Sequence, residues 1–199
     1  MVQSNMTRQV ERSSSTISAV LAAARKLFAI NGFEATSIDD IGAKAGVAKG
    51  AVYHHFTSKE EIFTRVLEDV QAEIAAAPIP MAARKITDPV EQISAGVLRY
   101  LNAATEPNVK RILLIDGPIV IGWQKWREID DRFFGAGAKA AVAHVLGKGV
   151  AAREIEALAH LVMGAVMEAA LVCAVAADPR KMARDHASAL HRMLAGLRE

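Results

Sequence analysis

One stretch of twenty residues, Ser37–Phe56 (SIDDIGAKAGVAKGAVYHHF), constrains this chain most, because it reads as two short helices joined by a tight turn. Ser37 is a favourable N-cap, and Asp40 three residues later gives a start like a capping box. Ile38 and Ile41 supply the apolar face of a helix running to about Ala45. Gly46 then stands where the chain must turn sharply, a position for a residue that takes positive φ without strain. Val47 plugs the turn, and a second helix begins near Ala48 or Lys49. Its Val52 and Phe56 lie four apart and face inward. Lys49, Gly50, Ala51, Tyr53, His54 and His55 are left largely facing out. Gly42 costs its helix about 1 kcal/mol relative to Ala, and a steep crossing of the two helices is a physical reason for it. A second helix exposed in this way, braced by the first, can enter a DNA major groove.

The flanks extend the pattern. Thr16–Asn31 is an amphipathic helix with Ile17, Val20, Leu21, Ala24, Leu27 and Phe28 on one stripe. Gly32 ends it, and Phe33 packs back on the glycine-terminated end. Thr57 to Glu61 cap a further helix whose inner face is Ile62, Phe63, Val66, Leu67 and Val70.

From about Thr16 to Val70, through AARKLFAINGFEATSIDDIGAKAGVAKGAVYHHFTSKEEIF, the chain resembles the tetracycline-repressor (TetR) family of bacterial transcriptional regulators. Gly32-Phe33, Thr36, Asp40-Ile41, Ala45-Gly46-Val47, Lys49-Gly50, Tyr53, Phe56 and Ser58-Lys59 stand in that family's order and spacing. Two positions depart from it. Ala48 lacks the capping hydroxyl that many members carry, and Ala51 replaces a Thr or Ser, leaving a methyl able to meet a thymine methyl. The resemblance implies phosphate contacts from Thr36, Tyr53, His54 and Lys59, with Ser37 beside them. It implies base-edge contacts around Lys49, Gly50 and Ala51. Lysine charge and a tyrosine hydroxyl suit those roles. His54 and His55 point about 100° apart on a helix and make poor joint metal ligands; no metal site is expected.

Length and composition fit an all-α protein of about nine helices. At 199 residues there is room for a small head and one larger helical body, and 52% hydrophobic content with only 5% aromatics suits an Ala/Leu/Val-rich helical core. The net charge is only +2, but residues 1–59 hold seven Lys and Arg against four Asp and Glu. Binding would then rest on a modest number of phosphate contacts and be sensitive to salt. Residues 1–15, polar and rich in serine, read as a disordered N-terminal arm with Arg8 and Arg12 within reach of DNA, and not as a leader. Residues 16–76 form the expected helix-turn-helix domain and 77–199 the ligand-binding and dimerisation domain. Pro78 and Pro80 mark the hinge between them. In the body, helices are expected from Thr87 to Thr105, from Pro107 to Ile115 with a break at Asp116-Gly117-Pro118, from Ile119 to Leu146 with kinks at Gly135 and Gly137, and over 152–176 and 179–197.

The body would enclose a mainly apolar pocket for a small apolar or aromatic effector, with Leu98, Leu101, Leu114, Trp123, Trp126, Met163 and Met167 as expected lining. Helix 152–176 is apolar nearly all round and must be buried on several sides. With the last helix it is expected to form a two-fold interface of a homodimer, through Leu161, Gly164, Ala165, Glu168 and Leu171, which suits a palindromic double-stranded operator. Its Glu168 argues against a membrane span. Single Cys173 cannot form an intrachain disulfide and fits a buried thiol in the cytoplasm. The resemblance implies a ligand-responsive repressor without a cofactor. An enzyme is not expected: His-Glu-x-x-His, Walker A, Gly-x-Gly-x-x-Gly and Gly-x-Ser-x-Gly are absent. The alternative is a helical protein-binding scaffold that kept this fold and lost its operator.

Overall fold

The structure, a computed structural model, describes residues 2–78 and 80–198, with the side chains of residues 2–12, 82, 83 and 198 outside that description. The described residues form nine helices and two extra helical turns, the second of them a 3-10 turn at Gly196–Arg198. In the head, α1 spans Val2–Asn31, α2 Ile38–Ala45, α3 Lys49–His55 and α4 Lys59–Ala76. After the turn Met81–Arg84 comes α5, Pro89–Ala104. Helix α6 runs through Pro107–Lys110, a π-helical stretch Arg111–Asp116, and Gly117–Val120. Helix α7 likewise comprises Trp123–Asp130, a π-helical stretch Asp131–Gly135, and Ala136–Leu146. Helix α8 is Ala152–Val175 and α9 is Pro179–Ala195.

Three expectations change. Helix α1 begins at Val2, so the backbone of the expected arm is helical. No Gly or Pro lies between residues 2 and 31, and adding residues to a formed helix is far cheaper than nucleating one. Arg8 and Arg12 have side chains outside the described residues. The break expected at Asp116-Gly117-Pro118 is instead a change of pitch: α6 continues through its π-helical stretch and stops at Ile121. The true break is Gly122, with φ +80°. The kinks expected at Gly135 and Gly137 become the single π-helical stretch of α7, in which the Asp131 carboxylate lies where a Cβ of Gly135 would be.

Local signals explain the other boundaries. Asp88 caps α5 by accepting from Glu91 N at 2.9 Å, with Pro89 in the first turn. Asp178 caps α9 in the same way through Lys181 N, at 2.9 Å. The head core is an aromatic cluster: Phe28, Phe33 and Phe63 meet with ring centroids 5.2–5.8 Å apart. It is continuous with the body core through Ile112, Leu113 and Trp126. Head and body are therefore packed on one another.

Candidate nucleic-acid interface and body cavity

The turn between α2 and α3 follows from local chemistry. Ser37 Oγ accepts from Asp40 N at 3.1 Å, and Ser37 N donates to Asp40 Oδ2 at 2.9 Å. The Ser37 hydroxyl also donates to Asp40 Oδ2 at 2.6 Å, and with the backbone N–H it holds that carboxyl below its ordinary pKa. Gly46 takes φ +70°. A Cβ on Gly42 would stand 3.1 Å from Val47 O and 3.6 Å from Val52 Cγ2, which is the close crossing expected of it. Ala48 begins α3 with no side-chain cap. Val52 and Phe56 are buried beneath α3, while Lys49, Gly50, Tyr53 and His54 are exposed and Ala51 is half-buried. Tyr53 keeps 51% of its surface in solvent, an unusual exposure for an aromatic side chain with no packing role.

Not every expected contact residue offers a donor outward. Thr36 is buried, with its hydroxyl donating to Gly32 O at 2.8 Å, so it braces the end of α1. Ser37 spends its hydroxyl proton on Asp40. Lys59 donates one proton to Phe33 O at 2.9 Å and lies 4.1 Å from that ring's centroid, leaving two of its three donors. Lys49 pairs with Asp39 at 2.9 Å, which raises the lysine's pKa through that hydrogen bond, but both side chains are exposed. Exchanging such a partner for a phosphate costs little.

A joint between head and body was not anticipated. Asp116 Oδ2 of α6 accepts from Phe33 N at 2.9 Å, and Arg111 Nη1 donates to Ile30 O at 3.3 Å. Arg111 Nε lies 3.7 Å from Asp116 Oδ2. Gly32, at φ +85°, leaves room for this guanidinium, which a Cβ there would strike. These partners lie about eighty residues apart in sequence, so no local pattern reveals them.

The body holds a cavity of about 380 Å³ between the end of α4, α5, α7 and α8. Of the seven expected lining residues, Met163 and Met167 line it. Leu101, Leu114 and Trp126 are instead buried core, with Trp126 Nε1 donating to Leu113 O at 2.9 Å. Leu98 packs against that core, and Trp123 is 55% exposed, stacked on Trp126 with centroids 5.4 Å apart. The walls are formed by Tyr100, Phe133, Phe134, Ile74 and Val97, with Asp130, Arg99, Gln92 and His144 as polar members. Nothing local in the sequence marks Asp130, one of three acidic residues from Glu128 to Asp131, as the one that is buried. Burial pushes its carboxyl up to about 6, against the lowering effect of Arg127 and Gln71.

On α8, seven residues are buried against the body, among them Ala159, Met163, Met167 and Cys173. The other face carries Leu161, Gly164, Ala165, Glu168 and Leu171, all exposed, with Leu161 at 69% and Val175 at 85%. Met193 of α9 adds a further exposed apolar group. Helix α8 is the one helix among the described residues long and apolar enough to cross a membrane, yet its inner face is part of this core.

Comparison with known proteins agrees with the geometry. Residues 20–66 match the bacterial regulatory proteins of the tetR family, and residues 90–197 match the tetracyclin repressor-like C-terminal domain. The chain is 27% identical to the transposon Tn10 TetC protein of Escherichia coli over 168 residues, 84% of each chain. It is 44% identical over 50 residues to the KstR2 transcriptional repressor of Mycolicibacterium smegmatis, covering 24% of that protein. Among solved structures, it resembles a TetR-family transcriptional regulator from Pectobacterium atrosepticum with TM-score 0.67 and 28% identity, over 94% of this chain and 96% of that one. RolR, solved in complex with resorcinol, shares the fold with TM-score 0.70 at 20% identity, over 95% and 94% of the two chains.

Proposed function

This chain belongs to the TetR family of bacterial transcriptional regulators, proteins with a helix-turn-helix DNA-binding domain that are not enzymes, and we propose that it acts as a ligand-responsive repressor. It works in the cytoplasm as a homodimer on a palindromic operator, and a small, mainly apolar effector releases it. Helix α4 carries the reading. It starts three residues after α3, and at its other end Ile74 and Ala75 line the body cavity. A ligand that prefers one arrangement of the cavity wall thereby biases the recognition helices, and only by its difference in affinity for the two arrangements. Lys49, Gly50, Ala51, Tyr53 and His54 meet the duplex through α3, and Lys59 supports it from the start of α4. The test is a fluorescence-anisotropy titration against duplex DNA from upstream of the protein's own gene, across a salt series. Tight, salt-dependent preference for one imperfect palindrome is expected, and Lys49→Ala should weaken it roughly tenfold or more. Equal, weak binding to every duplex by the wild-type protein would count against it.

The dimer rests on the outer face of α8. Leu161, Leu171 and Val175, with Met193 of α9, leave large apolar side chains in water, and small Gly164 and Ala165 between them allow a second helix to approach closely. Two copies related by a two-fold axis would bury this face and space two recognition helices for two half-sites. Light scattering at micromolar concentration should give twice the chain mass, and Leu161→Glu should shift it toward the monomer. A wild-type monomer under those conditions would exclude this assembly.

A further inference from the structure

Asp130 of α7 is only 5% exposed and forms part of the cavity wall. Gln71, fully buried on α4, donates from Nε2 to its Oδ1 at 3.3 Å. Arg127 donates to its Oδ2, also at 3.3 Å. Both contacts are long for charge-assisted hydrogen bonds, which lie near 2.7–2.9 Å. A carboxylate offers about four acceptor positions, so two long contacts leave this one poorly solvated. Around it stand aromatic walls: Tyr100 and Phe134 meet edge to face with centroids 5.3 Å apart, and Phe133 adjoins them in the lining.

We propose that the cavity takes a compact aromatic compound bearing a neutral hydroxyl, which donates to the Asp130 carboxylate while the ring packs among Tyr100, Phe133 and Phe134. This rests on the reading of the cavity as an effector site and names the chemistry it selects. The acceptor-only carboxylate calls for a donor. A cationic head group would compete with Arg127 for the same oxygens and meet Arg99 in the same wall. An anionic head group would share a cavity of about 380 Å³ with the Asp130 carboxylate, and the Arg99 guanidinium in that wall already donates to Ala77 O. A neutral hydroxyl avoids both costs and supplies the missing hydrogen bond. Since Gln71 of α4 donates to that same carboxylate, the ligand's donor and the helix leading to the head share one acceptor.

The test uses the full-length protein and four bicyclic probes that differ only in one substituent: 1-naphthol, 1-methylnaphthalene, 1-naphthoate and 1-naphthylmethylamine. Isothermal titration at pH 7.5 should show 1-naphthol binding about tenfold or more tighter than 1-methylnaphthalene, as a hydrogen bond to a charged group predicts. Asp130→Leu should abolish that preference. Asp130→Asn, nearly isosteric, should reduce it severalfold and decides the matter if the leucine variant does not fold. Equal affinity for 1-naphthol and 1-methylnaphthalene, tightest binding of the acid or the amine, a preference unchanged in the variants, or no binding of any probe would each overturn the assignment. Release from duplex DNA is measured separately. Hydroxyl-dependent binding that leaves DNA affinity unchanged would refute the effector reading while upholding Asp130 as the recognition group.

Discussion

Trp126→Ala is expected to destabilise the folded chain by about 3–5 kcal/mol in urea unfolding. The indole is fully buried where α6 and α7 meet, and its Nε1 donates to Leu113 O at 2.9 Å. Gly117 lies so close that a Cβ there would come within 2.9 Å of the ring. The neighbouring backbone is thus fitted to this side chain and cannot collapse far into the space left behind. Trp123 stacks over the outer side of the ring and would lose its support. Trp126→Phe separates the two contributions. It restores most of the volume but deprives the buried Leu113 carbonyl of its side-chain donor, at a cost of about 1–3 kcal/mol. An alanine variant within about 1 kcal/mol of wild type would show that the ring is not a core element.

The pH dependence of stability should differ between wild type and Asp130→Asn by about 2 kcal/mol from pH 4 to pH 7. Burial raises the Asp130 carboxyl from 3.8 to about 6, with Arg127 and Gln71 only partly opposing it. Folding therefore favours the protonated form. The contribution of this group is fully present below its unfolded value, near pH 4, and is lost as pH rises through 6. The Asn variant carries no such titration. Its amide also has a ready partner, because Gln71 Oε1 accepts no hydrogen bond from the described residues and the Gln71 amide can rotate to use it. Urea unfolding of both proteins at half-unit steps should show the variant gaining on wild type with rising pH. Parallel curves across that range would mean that Asp130 is better solvated than its 5% exposure implies.

Legibility in the sequence tracks the range of the interactions involved. The Ser37–Asp40 cap, the Gly46 turn, the Gly42 crossing and the inward Val52 all depend on partners within about ten residues, and each stands where the pattern places it. The inward turn of the Lys59 donor depends on Phe33 O, 26 residues away. Thr36 is the exception to range, since its partner Gly32 O is only four residues away, and it is burial by the packed head that turns its hydroxyl from the surface. Part of the cavity lining escapes the pattern for a different reason, at Leu114, Phe133 and Phe134. Helical periodicity assigns faces by counting along a regular helix, and the π-helical stretches Arg111–Asp116 and Asp131–Gly135 shift that count within α6 and α7. Leu114 thereby falls in the core, while Phe133 and Phe134 reach the cavity.

The helix-turn-helix and its outward residues are written locally, because caps, a left-handed glycine and apolar pairs four apart act before the rest of the chain is placed. For α8 the apolar pattern leads to an expectation of burial on several sides; the fold buries one face and leaves Leu161 and Val175 exposed on the other. Long-range packing sets which residues face the cavity, which charge is buried in its wall, and how Arg111 and Asp116 fasten the body to the head. Those outcomes depend on the phase of one helix against another and on partners tens of residues apart, which a short stretch of sequence does not encode.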